Sequence, residues 1–180
     1  CNEEASRRRV QSLFAGTALR TYTSDDLRGI QLGGALKNVF AIGAGISDGL
    51  GLGENAKAAL VTRSLAEMKR LGVAMGGARE TFGGLSGIGD LMVTCFSERS
   101  RNRGVGVRLG RGETVQAITS STATVAEGIP TAASALAAAE RLGVETPIIG
   151  AVQAVISGMK TPPEAMRELM GRQLRSEEEY

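Results

Sequence analysis

Lys37 and Asn38 stand in an apolar, glycine-lined run, Gly33-Gly34-Ala35-Leu36-Lys37-Asn38-Val39-Phe40. Burying a Lys is costly, so a Lys in such a run either snorkels to the surface or is chemically employed. A buried amine with a lowered pKa exchanges protons near neutral pH, as a general acid or base must. The chain contains no His, so any proton transfer falls to Lys, a carboxylate, Tyr or Cys. On the residues alone, the snorkelling and the chemical readings of Lys37 stand side by side.

Three more groups could do chemistry. In Gly87-Ile88-Gly89-Asp90-Leu91-Met92-Val93-Thr94, Asp90 follows two glycines and heads an apolar segment. An N-cap role is the simplest account of Asp90. Thr94 falls one helical turn later on the same face, and such a pair can line a polar pocket. In Ser100-Arg101-Asn102-Arg103, a cap residue leaves free N–H groups at a helix start. That end attracts anions, and an adjacent Arg adds a bidentate phosphate grip. Five Arg fall between Arg99 and Arg111. A solvated basic face or a nucleic-acid patch are the alternatives, the latter weakened by Phe96 being the lone aromatic nearby. Glu127 precedes a helix and reads as a first-turn acid facing the helix dipole.

Gly51-Leu52-Gly53-Glu54-Asn55-Ala56 matches the letters of the GxGxxA dinucleotide fingerprint. That fingerprint works only between a strand and a helix. Here the preceding stretch is helical in pattern, so a glycine-rich turn between helices is the better reading.

The elements that must position these groups are mostly helical. Residues 3–14 read as a short helix with Val10, Leu13 and Phe14 on one face, and Ala18 to Thr23 alternates like a strand. Thr23-Ser24-Asp25-Asp26 supplies N-cap chemistry. Residues 28–50 form a long buried helix despite a glycine penalty of up to ~1 kcal/mol each. Leu60, Val61, Leu65, Met68 and Leu71 recur at helical spacing over 55–71, as do Ala135, Leu136, Ala139 and Leu142 over 131–142. Thr146-Pro147 opens a further helix. Thr161-Pro162-Pro163-Glu164 is a capping box, followed by Met166, Leu169, Met170 and Leu174 as an apolar stripe.

Composition bounds the function classes. Net charge is +2, with 21 basic and 19 acidic residues among 180, which gives no bulk attraction to nucleic acid or membrane. With four Phe, two Tyr and no Trp, a base-stacking platform is not expected. The 25 Gly are about twice the usual share and predict helices packed closely through small residues. No apolar run is long enough to span a bilayer, and no signal peptide is visible. Cys1 and Cys95 form no CxxC pair, which fits a reduced, cytoplasmic setting. The opening Cys1-Asn2 in mid-pattern suggests a piece of a longer protein.

Taken together, Leu32-Gly33-Gly34-Ala35-Leu36-Lys37-Asn38, Ile46-Ser47-Asp48-Gly49-Leu50-Gly51-Leu52-Gly53-Glu54-Asn55, Gly89-Asp90-Leu91, Ser100-Arg101-Asn102-Arg103 and Val125-Ala126-Glu127-Gly128 resemble the bacterial NAD(P)-dependent glycerol-3-phosphate dehydrogenases. The motifs run in order over nearly the whole chain. The resemblance implies the C-terminal half of such an enzyme. Residues 27–180 would be an all-α, multi-helix substrate domain similar to that of 6-phosphogluconate dehydrogenase. Residues 1–26 would be the helix–strand tail of a missing α/β Rossmann domain. It also implies that Lys37 is the catalytic proton carrier. Lys37, Asp90, Ser100, Arg101 and Asn102 would bind substrate, with Asn38 and Thr94 lining the same pocket. Arg101, Val125 and Glu127 would contact NADH or NADPH, held mainly by the Rossmann domain in cis. The implied reaction interconverts dihydroxyacetone phosphate and sn-glycerol 3-phosphate, feeding phospholipid synthesis, in a cytoplasmic homodimer. No metal, nucleic-acid partner or membrane insertion is expected, and the fragment alone is expected to be inactive. The alternatives are a related β-hydroxyacid-type dehydrogenase domain, a non-catalytic helical interaction module, or a nucleic-acid binder built on Arg99 to Arg111.

Overall fold

A computed structural model of the chain describes residues 1, 3–121, 126–173 and 176. Among these, the secondary structure is helical throughout: α1 (Glu4–Leu13), α2 (Leu27–Gly49), α3 (Glu54–Ala74), α4 (Arg79–Phe82), α5 (Asp90–Phe96), α6 (Arg101–Gly110), α7 (Val115–Ser120), α8 (Gly128–Leu142), α9 (Pro147–Ile156) and α10 (Pro162–Met170), with a single π turn at Leu85–Gly89. The all-α expectation for the body of the chain therefore holds. No described helix is long and apolar enough to cross a membrane.

The axis of the fold is α2. From Asn38 to Ser47 every residue is buried, so this segment is enclosed on all sides, as an evenly apolar helix must be. Val39, Phe40 and Ile42 are fully inaccessible, and burying each such side chain contributes roughly 1.5–3 kcal/mol. α2 begins where Asp26 caps it, accepting from the Gly29 amide at 2.8 Å. The other Asp26 oxygen accepts from Thr81 Oγ1 at 2.6 Å and from the Ala78 amide at 2.9 Å. Hydrogen bonds from Thr81 and then Gly29 hold the Asp26 carboxyl below its usual pKa. One carboxylate thus starts α2 and pins the segment that carries α4.

α6 lies against α2 with backbones in contact. A Cβ on Gly45 would stand 2.1 Å from the Arg103 carbonyl, and one on Gly106 would stand 2.0 Å from the Ile42 carbonyl. Only glycine fits such a crossing, and this is where much of the glycine excess is used. The close approach brings the start of α6 beneath the middle of α2. α3, α5, α8 and α9 complete the surround of α2.

The alternating segment Ala18 to Thr23 forms no strand. Alternation of β-formers yields a strand only where a neighbour takes up its N–H and C=O groups, and the described residues offer none. α1 has no buried residue, and Val10 and Leu13 face solvent. α8 starts at Gly128, three residues earlier than its apolar spacing suggests. Leu174, placed on the last apolar stripe, lies outside the described residues. Gly51 and Gly53 both have positive φ, at 70° and 84°, in the turn joining α2 to α3. That is the helix-to-helix turn, not the strand-to-helix turn a dinucleotide fingerprint requires.

Candidate active site

Lys37 and Asp90 lie 53 residues apart and meet directly. Lys37 Nζ donates to both carboxylate oxygens of Asp90, at 2.6 Å each. The side chains keep 21% and 37% of their surface accessible, so the pair is open to small molecules while held by the fold. Lys37 comes from the flank of α2, and Asp90 is the first residue of α5. Asp90 makes no N-cap hydrogen bond, so the capping account does not describe it. Thr94 Oγ1 donates to the Asp90 carbonyl at 2.6 Å, which places Thr94 one turn above Asp90, half-buried.

Beside this pair runs a chain of carboxamides. Asn102 Nδ2 donates to Asn38 Oδ1 at 2.9 Å, and Asn102 Oδ1 accepts from the Gly128 amide at 2.9 Å. Asn38 Nδ2 donates to the Gly34 carbonyl at 3.2 Å. Both Asn residues are buried, and each hydrogen bond satisfies a group that would be costly to leave unpaired. α2, α6 and α8 are joined at this point. A Cβ on Gly128 would meet the Asn38 carbonyl at 2.6 Å and Asn102 Oδ1 at 2.9 Å, so the α8 start requires glycine here.

Ser100 caps α6, accepting from the Arg103 amide at 3.3 Å. Arg101, the first residue of α6, is exposed. Glu127, also exposed, precedes Gly128. Each stands next in sequence to one member of the hydrogen-bonded pair Asn102 and Gly128. Val125 lies outside the described residues.

A second charge cluster, not assigned from sequence, sits further along α2. Asp48 pairs with Arg103 at 2.7 Å and with Lys57 at 3.0 Å, and Lys57 reaches Glu54 at 3.2 Å. Lys57 Nζ also stands 4.9 Å from the centre of the Phe96 ring, a cation–π contact. Burial alone would lower the Lys57 pKa, but the hydrogen bonds to Asp48 and Glu54 outweigh it and raise it. The signal for this cluster was present in Asp48 and Arg103, both inside motifs already singled out. Their pairing depends on the α2–α6 crossing, which no local pattern encodes.

Residues 26–167 match the family described as NAD-dependent glycerol-3-phosphate dehydrogenase C-terminus. The chain belongs to that family. It is 51% identical over 177 residues to a glycerol-3-phosphate dehydrogenase (NAD(P)+) of Oleidesulfovibrio alaskensis, covering 98% of this chain and 54% of the relative. It is 53% identical over 175 residues to that of Trichlorobacter lovleyi, covering 97% of this chain and 53% of the relative. The crystal structure of glycerol-3-phosphate dehydrogenase from Coxiella burnetii superposes with a TM-score of 0.89 at 38% identity, over 95% of this chain and 53% of that one. The chain thus spans about half the length of the curated relatives it matches.

Among the described residues of this glycerol-3-phosphate dehydrogenase C-terminal family member, no strand-to-helix glycine turn is present to cradle a pyrophosphate. Arg101, first residue of α6, and Glu127, which precedes α8, are both exposed.

Proposed function

We propose that this chain is the substrate-binding and proton-transfer half of a glycerol-3-phosphate dehydrogenase, with a Rossmann domain in cis. The Lys37–Asp90 pair, at 2.6 Å across 53 residues of sequence and flanked by the Asn38–Asn102 link, carries the reading. The substrate is dihydroxyacetone phosphate in one direction and sn-glycerol 3-phosphate in the other, the latter destined for phospholipid synthesis. When bound, NADH or NADPH supplies hydride to the substrate C2. Lys37 Nζ gives its proton to the C2 oxygen as that oxygen becomes negative, and takes it back in the reverse direction. Asp90 aims the ammonium through two hydrogen bonds. After transfer, the partly accessible Lys37 regains a proton from water.

The remaining residues bind and orient. Arg101 grips the phosphate beside the first free N–H groups of α6. Ser100 shapes that turn by capping it, and Asn38, Asn102 and Thr94 line the path to Lys37. Arg101, Val125 and Glu127 form the outer contact with the cofactor. A homodimer and a cytoplasmic setting, both implied by the resemblance, go with this reading. Sedimentation of the whole protein tests the first.

The other readings fare worse. An interaction module would leave Lys37 and Arg101 far apart and exposed; Arg101 is exposed, but Lys37 is held by Asp90, and its neighbour Asn38 is hydrogen-bonded to Asn102, the neighbour of Arg101. A nucleic-acid face built on Arg99 to Arg111 loses two of its five Arg, since Arg103 and Arg108 are engaged by Asp48 and Glu113. The decisive experiment is turnover of dihydroxyacetone phosphate by the whole enzyme carrying Lys37→Arg. Guanidinium stays protonated at working pH, so the expected result is lost turnover with substrate binding retained. Parental turnover would remove Lys37 as the proton carrier.

A further inference from the structure

We propose that Gly33 is a positioning residue for the proton-transfer pair: its lack of a side chain seats the π turn on α2 and thereby sets Asp90 against Lys37. The proposal rests on the roles given to Lys37 and Asp90 above.

The geometry is a matched spacing on two elements. On α2, Gly33 lies one helical turn before Lys37, on the same face. On the opposing segment, Ser86 lies four residues before Asp90. Lys37 meets Asp90, and Gly33 meets Ser86. A Cβ on Gly33 would stand 2.5 Å from the Ser86 carbonyl oxygen and 3.4 Å from its carbon. Ser86 belongs to the π turn Leu85–Gly89, whose last amide link leads into Asp90, and the Asp90 N–H bonds back to carbonyls of that turn. Moving the turn therefore moves Asp90.

The turn cannot retreat freely, because its far side is equally tight. A Cβ on Gly87 would stand 2.1 Å from the Phe82 carbonyl oxygen and 2.4 Å from the Phe82 Cα. Phe82 is fully buried, and its ring sits where a Cβ on Gly72 of α3 would be, 2.1 Å away. Gly33, Gly87 and Gly72 thus hold one close stack from α2 through the turn and Phe82 to α3. Further up α2, Asp26 grips Thr81, so the whole 78–90 connection is fastened to α2 at Asp26, Gly33 and Lys37. A π turn departs from the regular helical ladder, and here its departure is what delivers Asp90. Carbon-to-carbonyl contacts settle near ~3.3 Å, so a methyl at position 33 pushes the turn outward by roughly 0.8 Å.

The test is a double-mutant cycle in the whole enzyme that contains this chain, read as kcat and KM for dihydroxyacetone phosphate. Gly33→Ala is made alone, with Asp90→Asn, and beside Gly104→Ala, a helical glycine with open space around it that reports the general effect of added methyls. Displacing a reacting group by about 1 Å costs up to ~100-fold. The expected result is a kcat loss of roughly 10- to 100-fold for Gly33→Ala, with a smaller change in KM. That loss disappears in the Asp90→Asn background, since there is no pair left to misplace. A purely structural glycine would cost the same in both backgrounds. Where Gly33→Ala lowers the folded yield, Leu85→Gly loosens the same turn at an exposed side chain. It is expected to lower kcat several-fold (roughly the share of a partial misplacement) only while Asp90 is present. Equal losses in both backgrounds, or no loss from Gly33→Ala and Leu85→Gly, overturn the proposal alone. Parental kcat in Asp90→Asn overturns the proton-transfer reading and this proposal with it.

Discussion

Two lysine–aspartate pairs hang from α2, and they are built to opposite ends. Lys37–Asp90 is joined at 2.6 Å by two elements, and both side chains remain partly accessible. Asp48–Lys57 is closed: Lys57 is 5% and Asp48 16% accessible, and Asp48 holds Arg103 as well. Among the described residues, each charge of the first pair has a single charged partner, and each side chain keeps an open side. In the second, two carboxylates and an aromatic ring surround Lys57, and Arg103 shares Asp48 with it. An open pair can hand a proton to a visitor, whereas a closed one can only hold helices together. Charge pairing is common to both, and access separates the pair proposed to react from the one that braces.

The comparison breaks first at Lys37. Lys37→Ala in the whole enzyme is expected to lower kcat by ~10²–10⁴-fold while the thermal midpoint stays within a few degrees, as calorimetry beside steady-state kinetics would show. Asp48→Ala should do the reverse. It strands Lys57 and Arg103 with less compensation, and breaking such a buried pair costs about 3 kcal/mol. Urea unfolding followed by circular dichroism reads that loss. A stable Asp48→Ala protein would mean the closed cluster is no brace.

Arg101 sharpens the open side. It is exposed at the start of α6, so Arg101→Ala should leave stability within about 0.5 kcal/mol. The substrate KM should rise roughly 10- to 100-fold, the value of a lost charge-assisted hydrogen bond, and inorganic phosphate should inhibit more weakly. Unchanged phosphate inhibition would assign the anion grip elsewhere.

The smallest expected effect comes from a third acid, buried far from both pairs. Glu67 accepts from the Ile148 amide at 2.9 Å and the Ile149 amide at 2.8 Å, at the start of α9. Burial pushes its pKa up to about 7, and the two amides only partly pull it back. A folded value above the unfolded 4.5 means the native state keeps a proton that the unfolded chain releases. Its contribution is fully present below pH 4.5 and is lost as pH rises through about 7. Glu67→Gln should flatten the dependence of the urea midpoint on pH across that window. An unaltered slope would show that another group sets it.

How much of this was legible in the residues follows the same division. Lys37 and Asp90 stood out as polar groups in apolar, glycine-rich surroundings, though on residues alone Asp90 read first as a cap and Lys37 as equally a snorkelling side chain; Ser100, Asp26 and Thr161 marked their helix starts by cap chemistry that is local in sequence. Asn38 and Asn102 could be placed in one pocket only through the resemblance, and their link to each other and to Gly128 could not be read at all, because its bonds form after α2, α6 and α8 have packed. Arg103 was visible but its partner was not, since the crossing at Gly45 and Gly106 is a matter of backbone distance. The π turn at Leu85–Gly89 has no periodic signature. Ala18 to Thr23 misled because alternation describes a strand's side chains and says nothing of a neighbour to pair with.

The central claim is that Lys37, Asp90, Asn102 and Arg101 serve one substrate. A crystal structure of the whole enzyme with dihydroxyacetone phosphate and oxidised cofactor tests it most directly. The expected result is the C2 oxygen within hydrogen-bond distance of Lys37 Nζ, about 2.6–3.2 Å, and the phosphate on Arg101 at the start of α6. Substrate bound with Lys37 still facing only Asp90, or with its phosphate away from Arg101, would contradict the account.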